Sequence, residues 1–136
     1  MIESVTLMAR ACCLVGAAPE DIPRLTAALA AAVASITTTV ALLDIVMLNA
    51  LAPDILVLDI DSLSDDPLET LRRLRFVLPD CVIVVFSGVL RYALLRECHS
   101  AGANCLLSKS SSVSQLAAGL RSAVSSGCFT DPRFVA

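Results

Sequence analysis

Three residues of the chain close short apolar runs: Asp59 follows I-L-V-L at 55–58, Ser87 follows C-V-I-V-V-F at 81–86, and Lys109 comes one residue after C-L-L at 105–107. Runs of this length without a polar residue are the pattern of strands buried on both faces. In open parallel α/β sheets, ligand and chemical sites lie just beyond the carboxyl ends of the strands. A carboxylate there can accept a phosphoryl group covalently. A hydroxyl and an ammonium are suitable donors to the oxygens of such a group. Taken alone each residue has an ordinary explanation, Asp59 above all, because aspartate ends strands and bonds its own backbone in turns. Taken together they make a rim fit for an anion of phosphoryl size.

Other residue clusters carry less. The six cysteines contain no C-x-x-C and sit mostly inside apolar runs, so they read as small core hydrophobes of a reducing compartment rather than a disulfide framework. Cys98-His99 lacks further ligands at zinc spacing. His99 falls on an expected helix away from the strand ends and reads as a surface residue, and Tyr92 as a half-buried or partner-facing one. Gly16-Ala17-Ala18-Pro19 offers one glycine and a proline that cannot donate, which excludes a glycine-rich phosphate loop.

Composition narrows the class. At 136 residues the chain is one domain, 1–136, large enough to bury a core, and 57% of it is apolar without counting glycine. Trp is absent, Tyr occurs once and the formal charge is −3, so this segment is not expected to hold nucleic acid by stacking or by charge. Leu25 to Leu43 carries no charge over nearly the length of a membrane span, but its Ala, Thr and Ser content brings little transfer energy. A buried helix followed by a buried strand explains it better. The start of the chain has Glu3 before its first arginine and no positive leader. A cytoplasmic location and no membrane association are expected.

The elements that must position the three residues alternate. Ala11 to Val15 is a first strand stopped by Gly16, and Gly16 to Pro23 a loop. Arg24 to Ala34 is a helix with Leu25, Leu29 and Val33 on one side. Ile36 to Val40 is a β-branched strand, Ala41 to Leu51 a short helix ended by Pro53, and Ile55 to Leu58 the central strand before Asp59. The next helix begins at Leu68 with Asp66 as its N-cap, and Arg72 and Arg73 face water. Cys81 to Phe86 is a strand, Arg91 to Ala101 a helix closed by Gly102, and Cys105 to Leu107 the last strand. Ser110 to Ser112 supplies an N-cap for Val113 to Ser125, which Gly127 ends. Five βα units in succession call for an α/β fold: a five-stranded parallel doubly wound sheet with helices on both faces.

The chain resembles the response-regulator receiver domain of two-component signalling, with the flavodoxin-like, CheY-like (βα)5 fold, over essentially its whole length. The residues that carry the resemblance are P-D-I-L-V-L-D-I-D at 53–61, D-P-L-E-T-L-R-R-L-R at 66–75, V-I-V-V-F-S-G at 82–88, A-G-A-N-C-L-L-S-K at 101–109 and G-C-F-T-D-P-R at 127–133. The subgroup most like it is the NarL/FixJ type, which usually precedes a helix-turn-helix output domain, so residues 127–136 are expected to lead to a linker. The resemblance implies that Asp59 is the phosphoacceptor, that Ser87 follows the phosphoryl group and that Lys109 bonds it. It also implies Mg²⁺ as cofactor, with Asp59 and the backbone carbonyl of Asp61 as ligands, a sensor histidine kinase or other signalling protein as partner, and a homodimer through the first and last helices. The role implied is a signalling module acting on transcription, not an enzyme.

Three positions depart from the family pattern. Where receivers end their first strand with two acidic residues that hold Mg²⁺, this chain has Gly16 and Ala17. Glu20 and Asp21 could substitute only if the first strand ran four residues longer, through Pro19. Leu106 stands where an aromatic switch residue is usual, and Leu63-Ser64 replaces the common Pro-Gly after the phosphoacceptor. Mg²⁺ needs carboxylate oxygens and phosphoryl transfer needs the metal to neutralise charge. The expectation is therefore a receiver with weak or absent phosphorylation at Asp59. The alternative is a phosphorylation-independent pseudo-receiver serving as an interaction or dimerisation module.

Overall fold

A computed structural model describes residues 10–33, 35–89 and 92–134. In chain order the elements are β1 (Arg10–Val15), α1 (Ile22–Val33), β2 (Ser35–Val40), α2 (Ile45–Leu51), β3 (Ile55–Asp59), a 3-10 turn (Ile60–Ser62), α3 (Pro67–Val77), β4 (Val82–Ser87), α4 (Tyr92–Ala101), β5 (Cys105–Ser108), α5 (Val113–Ser126) and β6 (Phe129–Thr130). A last 3-10 turn spans Pro132–Phe134. The strands form one parallel sheet in the order β2-β1-β3-β4-β5-β6. The five expected strands are all present, and the stretch Leu25 to Leu43 divides into α1, β2 and the start of the next loop.

Alternation along the strands splits the interior into two cores. On one face Cys12, Leu14, Ile55, Val57, Val84, Phe86, Cys105 and Leu107 meet Leu25, Ala28 and Leu29 of α1 and Leu116, Ala117, Leu120 and Ala123 of α5. On the other, Cys13, Val15, Leu56, Leu58, Ile83, Val85 and Leu106 meet Leu48 of α2, Leu71 and Leu74 of α3, and Cys98 and Ala101 of α4. Each fully buried Leu, Ile or Phe contributes about 1.5–3 kcal/mol relative to exposure. The sheet middle, buried on both sides, is thus held rigid, and its strand ends are fixed in relative height.

Caps set the helix limits. Asp66 accepts from the Leu68 amide at 3.1 Å and Pro67 opens α3, where its missing N–H costs nothing. Ser112 and Gln115 form a capping box on α5, and Gly127, at φ 84°, closes it. Two boundaries differ from the sequence expectation by more than one residue. α1 begins at Ile22 because Pro23 fits its first turn rather than the preceding loop. α2 begins at Ile45, not Ala41, because Asp44 caps it through the Met47 amide at 3.1 Å.

The sheet has a sixth strand that was not expected. Past Gly127 the chain lies alongside β5, Phe129 opposite Cys105 and Thr130 opposite Leu106. His99 is part of this addition and is no bland surface residue. Half-buried, it bonds Ala103 O through Nδ1 (2.9 Å) and Thr130 Oγ1 through Nε2 (2.8 Å). Of the cysteines, Cys12, Cys13, Cys81, Cys98 and Cys105 are buried and outside any disulfide, as core hydrophobes should be, whereas Cys128 is exposed. No helix among the described residues is long and apolar enough to cross a membrane. Arg91 and the side chain of Tyr92 lie outside the described residues.

Candidate functional site

Three adjacent strand ends build the rim. β3 and β4 pair Asp59 with Phe86, and β4 and β5 pair Ser87 with Ser108, so the residues closing these strands stand level. The Lys109 amide continues the ladder onto Ser87 O at 3.0 Å and turns the lysine side chain back over the sheet edge. Its Nζ lies 2.9 Å from Asp59 Oδ2, 3.2 Å from Asp61 Oδ2 and 5.8 Å from the centroid of the Phe86 ring. Asp59 is 3% exposed. Its Oδ1 accepts from the Asp61 amide at 3.0 Å and its carbonyl from Ser62 Oγ at 2.8 Å, which fold the chain into the 3-10 turn.

Asp59, Ser87 and Lys109 therefore gather at one end of the sheet. Ser87 does not bond Asp59, however. Its hydroxyl donates to Asp61 Oδ1 at 2.7 Å, and the Gly88 amide donates to Asp61 Oδ2 at 2.8 Å. The Val89 amide in turn donates to Ser87 Oγ at 3.1 Å. The side chain of Asp61 is the site residue that sequence reasoning missed, having considered only its backbone carbonyl. The available signal was the i, i+2 pair Asp59-Ile60-Asp61, which a tight turn after a strand can fold onto one spot.

The charges are mutually adjusted. Burial would raise the Asp61 carboxyl, but the Gly88 amide, the Ser87 hydroxyl and Lys109 hold it below the ordinary carboxylate range. Partial burial would lower the Lys109 ammonium, yet Asp59 and Asp61 more than offset this and raise it above the ordinary lysine range. At neutral pH the site is a lysine held by two aspartates.

The end of β1 borders this site. The strand stops at Val15, and Gly16, at φ 73°, donates its amide to Val40 O at 2.9 Å. A Cβ on Gly16 would stand 2.3 Å from Ser62 Oγ, so a side chain there is strained by the positive φ and requires the Ser62 hydroxyl to rotate away. An open cleft of about 250 Å³ lies beside it, lined in part by Val15, Gly16, Leu43, Ser62 and Asp65. Glu20 is exposed. Asp21 is 8% exposed and pairs with Arg24 Nη1 at 3.1 Å. Nη2 of that arginine reaches Lys109 O at 3.2 Å and also Ser111 O, so Asp21 and Arg24 together tie α1 to the loop after β5. Among the described residues no three His, Cys, Asp or Glu side chains come together in a group suited to a metal ion. The oxygens of Asp59 and Asp61 that face the rim are instead directed at Lys109 and its neighbours.

Two further polar features support the rim from outside it. Asp131, 3% exposed, accepts from Ser111 Oγ, from the Ser108 amide at 3.4 Å and from the Arg133 amide at 2.9 Å, fastening the tail to the end of β5. These bonds lower its carboxyl against the opposing effect of burial. Leu106 is fully buried in the core beneath α4. It packs as an ordinary core side chain.

No protein-family model and no curated protein matches the chain. Solved structures do. The fold is similar to a two-component response regulator of the LuxR family from Aurantimonas sp. SI85-9A1, at 20% identity and TM-score 0.74 over 94% of either chain. It is similar to the isolated REC domain of RcsB from Salmonella enterica serovar Typhimurium with the phosphomimetic BeF3−, at 15% identity and TM-score 0.76 over 94% of this chain and 97% of that one. A third is a response regulator protein from Burkholderia pseudomallei with a phosphorylated aspartic acid, calcium ion and citrate, at 18% identity and TM-score 0.70 over 87% of this chain and 70% of that one. At these identities the likeness establishes the fold: a CheY-like receiver (βα)5 with a parallel sheet in the order 2-1-3-4-5.

Proposed function

We propose that residues 1–136 form a receiver module of two-component signal transduction, with Asp59 as the phosphoacceptor position, Ser87 and Lys109 as its partners and a histidine kinase as the phosphoryl source. The observation that carries this reading is the 2.9 Å contact between Lys109 Nζ and a buried Asp59 at the carboxyl ends of three adjacent parallel strands. A lysine so placed is a donor to any oxyanion formed on that carboxylate. Receiver domains as a class hold Mg²⁺ in an acidic pocket, and the reading here is of a weakened one. Asp59 and the Asp61 carbonyl would be its ligands, the end of β1 offers a glycine at positive φ where a carboxylate would be needed, and Asp21 is paired with Arg24. Phosphorylation at Asp59 is accordingly slow, and the module acts in the cytoplasm on transcription through an output domain, linked beyond the tail at 127–136 or borne by a partner. The test is incubation with acetyl phosphate and millimolar Mg²⁺ followed by intact-protein mass spectrometry. One phosphoryl group should add to the chain and none to Asp59→Asn, and an unmodified wild-type chain would overturn the reading.

A second reading, the phosphorylation-independent interaction module, is favoured by the same Gly16 packing and by the burial of Leu106, which leaves no aromatic ring to swing between core and surface. Thr26, Ala27, Ala30 and Ala31 of α1 and Ala118 of α5 are exposed small residues on neighbouring helices, a surface that permits close approach by a second copy. Light scattering with and without beryllofluoride separates the readings: a dimer insensitive to the phosphate mimic supports the second.

A further inference from the structure

We propose that the Asp61 carboxylate is an internal ligand, filling an oxyanion site made by Ser87 Oγ, Gly88 N and Lys109 Nζ, and that it must swing out before an external tetrahedral oxyanion can bind there. The three donors come from the ends of β4 and β5 and converge on one side chain, at 2.7, 2.8 and 3.2 Å. Hydroxyl, main-chain amide and ammonium are the groups that bind phosphate oxygens, and two carboxylate oxygens present acceptors much as two oxygens of a phosphoryl group do. What fills the site is an anion from the chain itself.

Nothing in the turn forces Asp61 inward. The 3-10 turn is already held by the Asp61 amide on Asp59 Oδ1 and by Ser62 Oγ on Asp59 O, neither of which uses the Asp61 side chain. The residue is exposed along its backbone while its side chain, 22% exposed, is turned in toward the rim. It exchanges water for three donors, two of which have no other acceptor among the described residues: Gly88 N and the Ser87 hydroxyl proton. That preference makes the site competitive. If the closed form outweighs the open one by about tenfold, the apparent affinity for an outside oxyanion falls by the same factor. Identifying that oxyanion as the phosphoryl group on Asp59 rests on the receiver reading; the competition itself does not.

The test uses the full chain in an Asp59→Asn background, which prevents phosphoryl transfer and removes the repulsion of a second carboxylate. Orthophosphate is titrated into ¹⁵N-labelled protein while the Gly88 and Val89 amide resonances are followed. Adding Asp61→Ala should shift the Gly88 resonance before any phosphate is present and tighten phosphate binding about tenfold or more. Asp61→Asn, which keeps the shape and drops the charge, should move affinity in the same direction, and Ser87→Ala in the Asp61→Ala protein should remove the gain. Binding no tighter after Asp61→Ala, a gain that survives Ser87→Ala, or an unmoved Gly88 resonance would each overturn the proposal. Failure of the receiver reading is registered separately, by the acetyl phosphate reaction of the chain with Asp59 intact.

Discussion

Replacing Gly16 by alanine should destabilise the fold by about 2–3 kcal/mol, and the size follows from two separate penalties. Gly16 sits at φ 73°, where an L-residue with a Cβ pays about 1–2 kcal/mol. The new Cβ would also stand 2.3 Å from Ser62 Oγ, so the serine must rotate away and lose its 2.8 Å hydrogen bond to Asp59 O, a loss of about 1 kcal/mol. The second penalty belongs to the pair and not to Gly16 alone. Ser62→Ala by itself forfeits the same bond, so the double variant should be about 1 kcal/mol more stable than the sum of the single changes implies. Urea unfolding followed by circular dichroism resolves this. With a slope of roughly 1–3 kcal/mol per molar for a small domain, the Gly16→Ala midpoint should fall by about 0.7–3 M. A drop below about 0.5 kcal/mol, the range of ordinary surface changes, or strict additivity in the cycle, would refute the account of why no acidic side chain stands at the end of β1. It would also reopen that position to an engineered metal ligand.

Arg75→Met should cost about 3–5 kcal/mol in the same unfolding assay. Its guanidinium donates to the carbonyls of Leu78, Pro79, Cys81 and Gly102 and to Asn104 Oδ1, and the variant strands those acceptors between α3, β4 and β5. Asp131→Asn should weaken the fold at neutral pH and flatten its acid limb. The Asp131 carboxyl is lower in the folded chain than its ordinary value near 3.9, so its contribution is complete above that value and disappears as pH falls through the folded one. Wild type and variant should thus converge in chemical denaturation below about pH 4, and a constant gap would refute the linkage. Thiol labelling of the native chain should modify Cys128 first. Burial pushes Cys81 up to about 12 and Cys98 to about 11, and Cys105 higher still, whereas Cys128 is exposed. Rapid labelling of a second cysteine without unfolding would count against the packing described.

The apolar runs at 55–58, 81–86 and 105–107 made the central strands legible, because burial on both faces is a property of consecutive residues. Asp66, Ser112, Gly102 and Gly127 marked helix limits for an equally local reason: caps act within one turn. The short strand β6 was not legible, since two residues carry no periodicity and its pairing depends on β5 having an open edge. The gathering of Asp59, Ser87 and Lys109 at one rim was legible from the strand ends that carry them, whereas the roles proposed for them come from resemblance.

What sequence alone determined about this protein is the ladder of βα units and the three polar residues that its strand ends carry to one rim. What the tertiary structure alone decided is who meets whom there. Arg24 reaches carbonyls 85 and 87 residues away, and Ser87 takes as its partner a carboxylate 26 residues away rather than Asp59. Apolar burial repeats along the chain and can be read from it. A hydrogen bond depends on the direction of one side chain toward a donor that only folding brings near, and no spacing in the sequence records that direction.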